Sequence, residues 1–131
     1  NAVPVDRDGG GAKGLKIILD RLINNNGIII FPEGTRTFDG KMLSSKAGIG
    51  LAIIKSQAPV VPVRVWTFKA YNRNLFFPKP LMISVKFGKP LDIEYLRDKA
   101  KTCSRSELRD IYQEAAEMTM CAVQKLRPIK D

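Results

Sequence analysis

Three short apolar runs, Ile28–Phe31 (IIIF), Val60–Trp66 (VVPVRVW) and Leu81–Phe87 (LMISVKF), stand among longer stretches whose apolar residues recur at helical spacing, two of which separate Val3–Val5, Ile28–Phe31 and Val60–Trp66. Apolar runs of strand length separated by amphipathic helices bury themselves best as a sheet with helices packed on it. The fold class expected is therefore α/β, with a mostly parallel central sheet flanked by helices. A short extended start at Val3–Val5 would add a strand, and the continuous run Ile28–Phe31 reads as a strand buried on both faces. At 131 residues there is material for one core.

The helical stretches carry their own boundaries. Gly11–Asn25 places Leu15, Ile18, Leu19, Leu22 and Ile23 on one face, and Asn24-Asn25-Asn26-Gly27 stops it, because Asn and Gly tolerate a left-handed cap. Lys46–Gln57 repeats the spacing through Ile49, Ala52 and Ile53. Helices are also expected at Ile93–Lys101 and Arg105–Arg127, the second opened by Ser104 and Glu107 in capping-box register. Its stripe of Leu108, Ile111, Tyr112, Ala115, Met118, Ala122 and Leu126 reads as core.

Composition excludes several classes. Apolar residues at 44% and charged residues at 27% are ordinary globular usage, which argues against disorder. The longest apolar run, Gly27 to Pro32, is far short of the roughly 18 residues of a membrane span, so the chain is expected to be soluble or a surface binder. Cys103 and Cys121 have no metal spacing and the chain has no His, so no metal site is expected and both read as reduced thiols. The net charge is +9, with +4 in residues 1–65 and +5 in residues 66–131. Such an excess favours anionic partners without choosing among phosphorylated metabolites, lipid headgroups and nucleic acid.

Two glycine-bearing stretches suggest a ligand. Gly9, Gly11 and Gly14 satisfy G-x-G-x-x-G, with Glu33 19 residues beyond the last. Asp6, Arg7 and Asp8 separate that pattern from the preceding extended residues, and two carboxylates are poor neighbours for a pyrophosphate, so a helix start is the better reading. The second stretch, Ile30–Gly40 (IFPEGTRTFDG), leaves an apolar run and at once presents Glu33, Gly34, Thr35 and Arg36. Gly34 lets backbone approach a ligand, while Thr35 and Arg36 offer a hydroxyl and a planar fork of donors suited to phosphate or carboxylate. A salt-bridged turn, Glu33 with Arg36, is the alternative.

FPEGTR, followed by Lys46-Ala47-Gly48, resembles the third conserved block of the glycerolipid acyltransferases of the 1-acylglycerol-3-phosphate acyltransferase type. Val3-Pro4-Val5-Asp6-Arg7 is similar to the end of the second block, and Val60-Val61-Pro62-Val63 to the fourth. The resemblance implies transfer of a fatty acyl group from acyl-CoA or acyl-ACP to the hydroxyl of a lysophosphatidate or glycerol-phosphate acceptor. It implies Arg7, Arg36 and Lys46 as phosphate partners, Glu33, Gly34 and Thr35 as shaping the acceptor side, and Pro62 near the active-site wall. No cofactor is implied beyond the thioester donor.

The first family block, His-x-x-x-x-Asp, is absent, since the chain has no His. In that block the His takes the proton of the attacking hydroxyl and the Asp orients the ring. Residues 1–131 are thus expected to be a single partial domain, the C-terminal portion of a longer enzyme working at the cytoplasmic face of a membrane. Alone it is expected to be inactive. A naturally His-less relative would look the same.

One further stretch, Thr67–Pro80 (TFKAYNRNLFFPKP), interleaves four aromatics with Lys69, Arg73 and Lys79 and contains no acid. That composition suits an anionic lipid surface, though aromatics folded back on a core would look alike. A binding module without chemistry, for phosphate, lipid or single-stranded nucleic acid, is the rival function. An exposed strand edge and apolar face, with self-association or marginal stability, are also expected.

Overall fold

The computed structural model describes residues 12–34, 41–68 and 82–128. In chain order these form α1 (Ala12–Ile23), α2 (Ala47–Ser56), β1 (Val63–Phe68), β2 (Met82–Phe87), α3 (Glu94–Thr102) and α4 (Arg105–Lys125). The four helices fall where the apolar spacing puts them.

Their ends follow local chemistry. Asn25 closes α1 in the left-handed region at φ 59°. Asn26 N–H donates to the Arg21 carbonyl at 3.0 Å and Asn25 N–H to Leu22 at 3.1 Å, the paired bonds of a Schellman end. Gln57, at φ 57°, closes α2 and donates its side-chain amide to the Ile54 carbonyl at 3.1 Å. At the start of α4 both arms of the expected capping box form: Ser104 Oγ accepts from Glu107 N–H, and Glu107 Oε2 accepts from Ser104 N–H at 2.8 Å. Bonds from the Ser104 hydroxyl and amide hold the Glu107 carboxyl below its ordinary range.

The core lies between α2, α3 and α4, on Ile53, Ile54, Ile93, Leu96, Ile111 and Ala115. α2 and α4 cross at backbone contact, because a Cβ on buried Gly50 would run into the Tyr112 carbonyl. That crossing turns α4 onto small residues: its buried face is Ile111, Ala115, Ala116, Thr119, Met120 and Val123. Met118, Ala122 and Leu126 of the expected stripe are only half-buried. Thr119 is tolerated inside because its hydroxyl donates to the Ala115 carbonyl at 2.9 Å.

Arg97, 5% exposed, ties α3 to the end of α2, where unpaired carbonyls carry partial negative charge. Nη2 donates to the Ala58 carbonyl at 2.6 Å and to Ile53 at 3.2 Å, while Nη1 meets Glu94 at 2.6 Å.

The sheet departs from expectation. Among the described residues it is two-stranded and antiparallel, with Val63 opposite Phe87 and Val65 opposite Val85. No helical pattern separates Val60–Trp66 from Leu81–Phe87, and without a crossover the second strand can only return beside the first. β1 also starts later than expected, because Pro62 has no N–H for the ladder. Pairing persists irregularly below it, with Gly88 N–H on the Pro62 carbonyl at 2.8 Å and Leu91 N–H on Val60 at 2.9 Å.

Ile28–Phe31 is not the strand buried on both faces that its composition suggested. It forms no strand, and Ile29 and Phe31 are 89% and 72% exposed. A strand needs a neighbour for its backbone groups, and no described strand lies beside this one. The expected first strand, Val3–Val5, lies outside the described residues. Both cysteines are free, Cys103 at the end of α3 and Cys121 on α4. No helix among the described residues is long and apolar enough to cross a membrane.

Candidate functional site

The site grows out of Phe31-Pro32-Glu33-Gly34. Gly34 N–H donates to the Phe31 carbonyl at 3.0 Å, closing a turn that Pro32 pre-shapes, and Gly34 itself sits at φ +67°. Only glycine takes that backbone at no steric cost.

Two bonds tie Leu43 and Lys46 to this turn. Glu33 Oε2 accepts from Leu43 N–H at 2.7 Å, and Lys46 N–H donates to the Pro32 carbonyl at 3.1 Å. The carboxylate of FPEG therefore acts on backbone, at the Leu43 amide.

Lys46 is brought onto the glycine. A Cβ on Gly34 would stand 3.0 Å from Lys46 Cε and 3.2 Å from Nζ, so the amine rests where any other residue's side chain would begin. Lys46 also occupies the N-cap position of α2 and makes no side-chain cap bond. The first-turn amides beside it belong to exposed Ala47 and Gly48, and among the described residues a Cβ on Gly48 would meet nothing within 4 Å. An ammonium next to the positive end of a helix with open space beside it suits an anion carrying several oxygens.

Of the residues expected from sequence, Glu33, Gly34 and Lys46 are thus brought together. Pro62 is placed elsewhere: it is buried at the base of the hairpin, where a Cβ on Gly88 would come within 2.8 Å of its ring. Arg7, Thr35 and Arg36 lie outside the described residues. So do Gly9 and Gly11, while Gly14 is buried within α1.

Sequence reasoning missed the Leu43 amide and the α2 N-terminus as parts of the site. The second was legible, because Lys46 immediately precedes a helical apolar pattern. Beside the loop, Met42, Leu43, Ser44 and Ser45 line a cavity of about 270 Å³ with Gln113, Glu117 and Cys121 of α4. A larger one of about 340 Å³ lies at the other end of α2, near Gln57 and Arg97, away from the turn. No cluster of potential metal ligands occurs among the described residues.

The Gly34 turn and Lys46 both fall within the residues matched by a known family model. The family model described as Acyltransferase matches residues 1–66, half of the chain, and the chain belongs to that family. Within it the type is the glycerolipid one. The chain is 35% identical over 71 residues to a 1-acyl-sn-glycerol-3-phosphate acyltransferase of Limnanthes alba, covering 53% of this chain and 25% of the relative. It is 32% identical over 91 residues to a protein of the same name from Cocos nucifera, covering 66% of this chain and 30% of the relative. The chain thus spans less than a third of the curated relatives it matches. No solved structure matches it.

Proposed function

We propose that this chain holds the acceptor phosphate in a 1-acylglycerol-3-phosphate acyltransferase, an enzyme of phospholipid synthesis. The observation that carries the reading is the placement of Lys46 on the left-handed Gly34 at the N-terminus of α2. A lysophosphatidate or glycerol-phosphate acceptor would place its phosphate against the Lys46 amine and the α2 amides, with Arg7 and Arg36 as further partners by family resemblance. Charge-assisted bonds to phosphate are the strong kind.

In the reaction, the acceptor hydroxyl oxygen attacks the thioester carbonyl of acyl-CoA or acyl-ACP. The new C–O bond forms as the C–S bond breaks, and the hydroxyl proton passes to a base and then to the departing thiolate. The family's base is a histidine, and this chain has none. We therefore expect the 131-residue chain alone to bind acceptor and not to turn over. The intact enzyme would work at the cytoplasmic face of a membrane, with Ile28–Phe31 paired into a mostly parallel sheet.

Titration of the full chain with lysophosphatidate, against a monoacylglycerol that lacks the phosphate, tests the reading. Preference for lysophosphatidate is expected, weakened about ten-fold or more in Lys46→Gln. Equal affinity for the two lipids would sink the phosphate assignment. Acyl transfer by the unaided chain would sink the assignment of the base to a histidine it lacks.

A further inference from the structure

The cavity of about 270 Å³ between residues 42–45 and α4 borders the Gly34 turn. Ser45 precedes Lys46 in the chain, and the Leu43 amide is the one that Glu33 holds at 2.7 Å. Its chemistry is unlike that of the turn. Among the described residues no Lys or Arg lines it, and its polar side chains are Ser44, Ser45, Gln113, Gln124 and Glu117.

Gln113 Nε2 donates to Glu117 Oε1 at 2.7 Å, one turn apart on α4, which holds the carboxylate and leaves Oε2 to accept. The Ser44 and Ser45 hydroxyls and the Gln124 side-chain amide make no hydrogen bond among the described residues. Neutral donors and acceptors around one carboxylate repel a phosphate and suit a group that brings hydroxyls. The volume is at the small end for a ligand pocket, which matches a short polyol better than a long acyl chain.

A phosphate on Lys46 brings its own glycerol, because only an ester oxygen joins the two. The hydroxyl-bearing carbons must then lie next to the turn, where this cavity opens, whereas the larger cavity lies at the far end of α2. Resting on the phosphate reading above, we propose that the cavity between residues 42–45 and α4 takes the glycerol moiety of the acceptor, with Glu117, held by Gln113, accepting from a free glycerol hydroxyl. Glu117 is thereby a specificity-determining residue supplied by α4, outside the residues 1–66 that the family model matches.

Titration of the full chain with glycerol 3-phosphate and with n-propyl phosphate, which keeps the three carbons and the phosphate but lacks the hydroxyls, tests this. Glu117 is exposed, so one hydrogen bond to its carboxylate should favour glycerol 3-phosphate about ten-fold. Glu117→Ala should bring that ratio close to one. Removing a negative charge near the phosphate strengthens both ligands, so the ratio is the readout and neither affinity alone is. Lys46→Gln should weaken both ligands and keep the ratio. Cys121 lines the same cavity and is exposed, while Cys103 closes α3. In the unaltered chain glycerol 3-phosphate should slow iodoacetamide alkylation of Cys121 and not of Cys103, and inorganic phosphate should slow neither. Equal affinity for the two esters with the Lys46 dependence intact would overturn the glycerol assignment and spare the phosphate reading. A ratio that survives Glu117→Ala, or a Cys121 left unprotected, would overturn it too. Binding of neither ester, or of both regardless of Lys46, would sink the phosphate reading and this proposal together. Circular dichroism checks that the variants fold; should Glu117→Ala fail, the ester ratio and the alkylation comparison on the unaltered chain still decide.

Discussion

At the scale of single residues, Gly34 carries two demands, a left-handed backbone and room for the end of the Lys46 side chain. Its φ of +67° costs an alanine about 1 kcal/mol of backbone strain, and an added Cβ would stand 3.0–3.2 Å from the end of the Lys46 side chain. That chain end is flexible and moves cheaply. Gly34→Ala is therefore expected to lower stability by only about 1 kcal/mol in denaturant unfolding, yet to weaken lysophosphatidate binding by displacing the amine, although no charge is removed. Unchanged affinity would show that Lys46 does not work from its position on the glycine. The lysine, the glycine and the glutamate were all legible from FPEGTR and its downstream Lys-Ala-Gly. What Glu33 does was not, because its partner is a backbone amide ten residues on, and backbone amides leave no mark in a sequence.

At the scale of elements, helices were read well because their information is local: spacing, an Asn stop, a capping box. Helix packing was read less well. Gly50, at first sight a weak residue in the middle of a helix, is what allows α2 to touch the Tyr112 backbone. Gly50→Ala should cost about 3 kcal/mol, since backbone on both sides has to move. A urea midpoint lowered at constant slope would show it, and a loss under about 0.5 kcal/mol would contradict the crossing. Strands were harder still. Ile28–Phe31 has the composition of an inner strand, but composition cannot supply the neighbour that completes a ladder. The hairpin of β1 and β2 replaces the expected parallel arrangement among the described residues, and the sequence between the two runs carries no helical apolar spacing for a crossover.

At the scale of the whole molecule, burial is uneven. The core residues belong to α2, α3, α4 and the segment leading into α3, whereas α1 buries only Gly14 and leaves Ile23 64% exposed. Local opening follows buried apolar contact, so native-state hydrogen exchange should show α1 amides exchanging well before those of α2 and the middle of α4. Equal protection in all three would mean that α1 is held more firmly than its burial suggests. The exposed apolar face expected from sequence is present on the hairpin, at Val63, Val65, Ile83, Val85 and Phe87. By itself the sequence determined the helices, the Asn stop of α1, the capping box of α4, the family and three residues that meet at the Gly34 turn, because each rests on contacts within about one turn or one motif. Only the tertiary structure decided the α2–α4 crossing, the direction of the hairpin, and the burial of Pro62 at the hairpin's base. Those depend on which distant groups come to lie side by side, and neither spacing nor composition carries that.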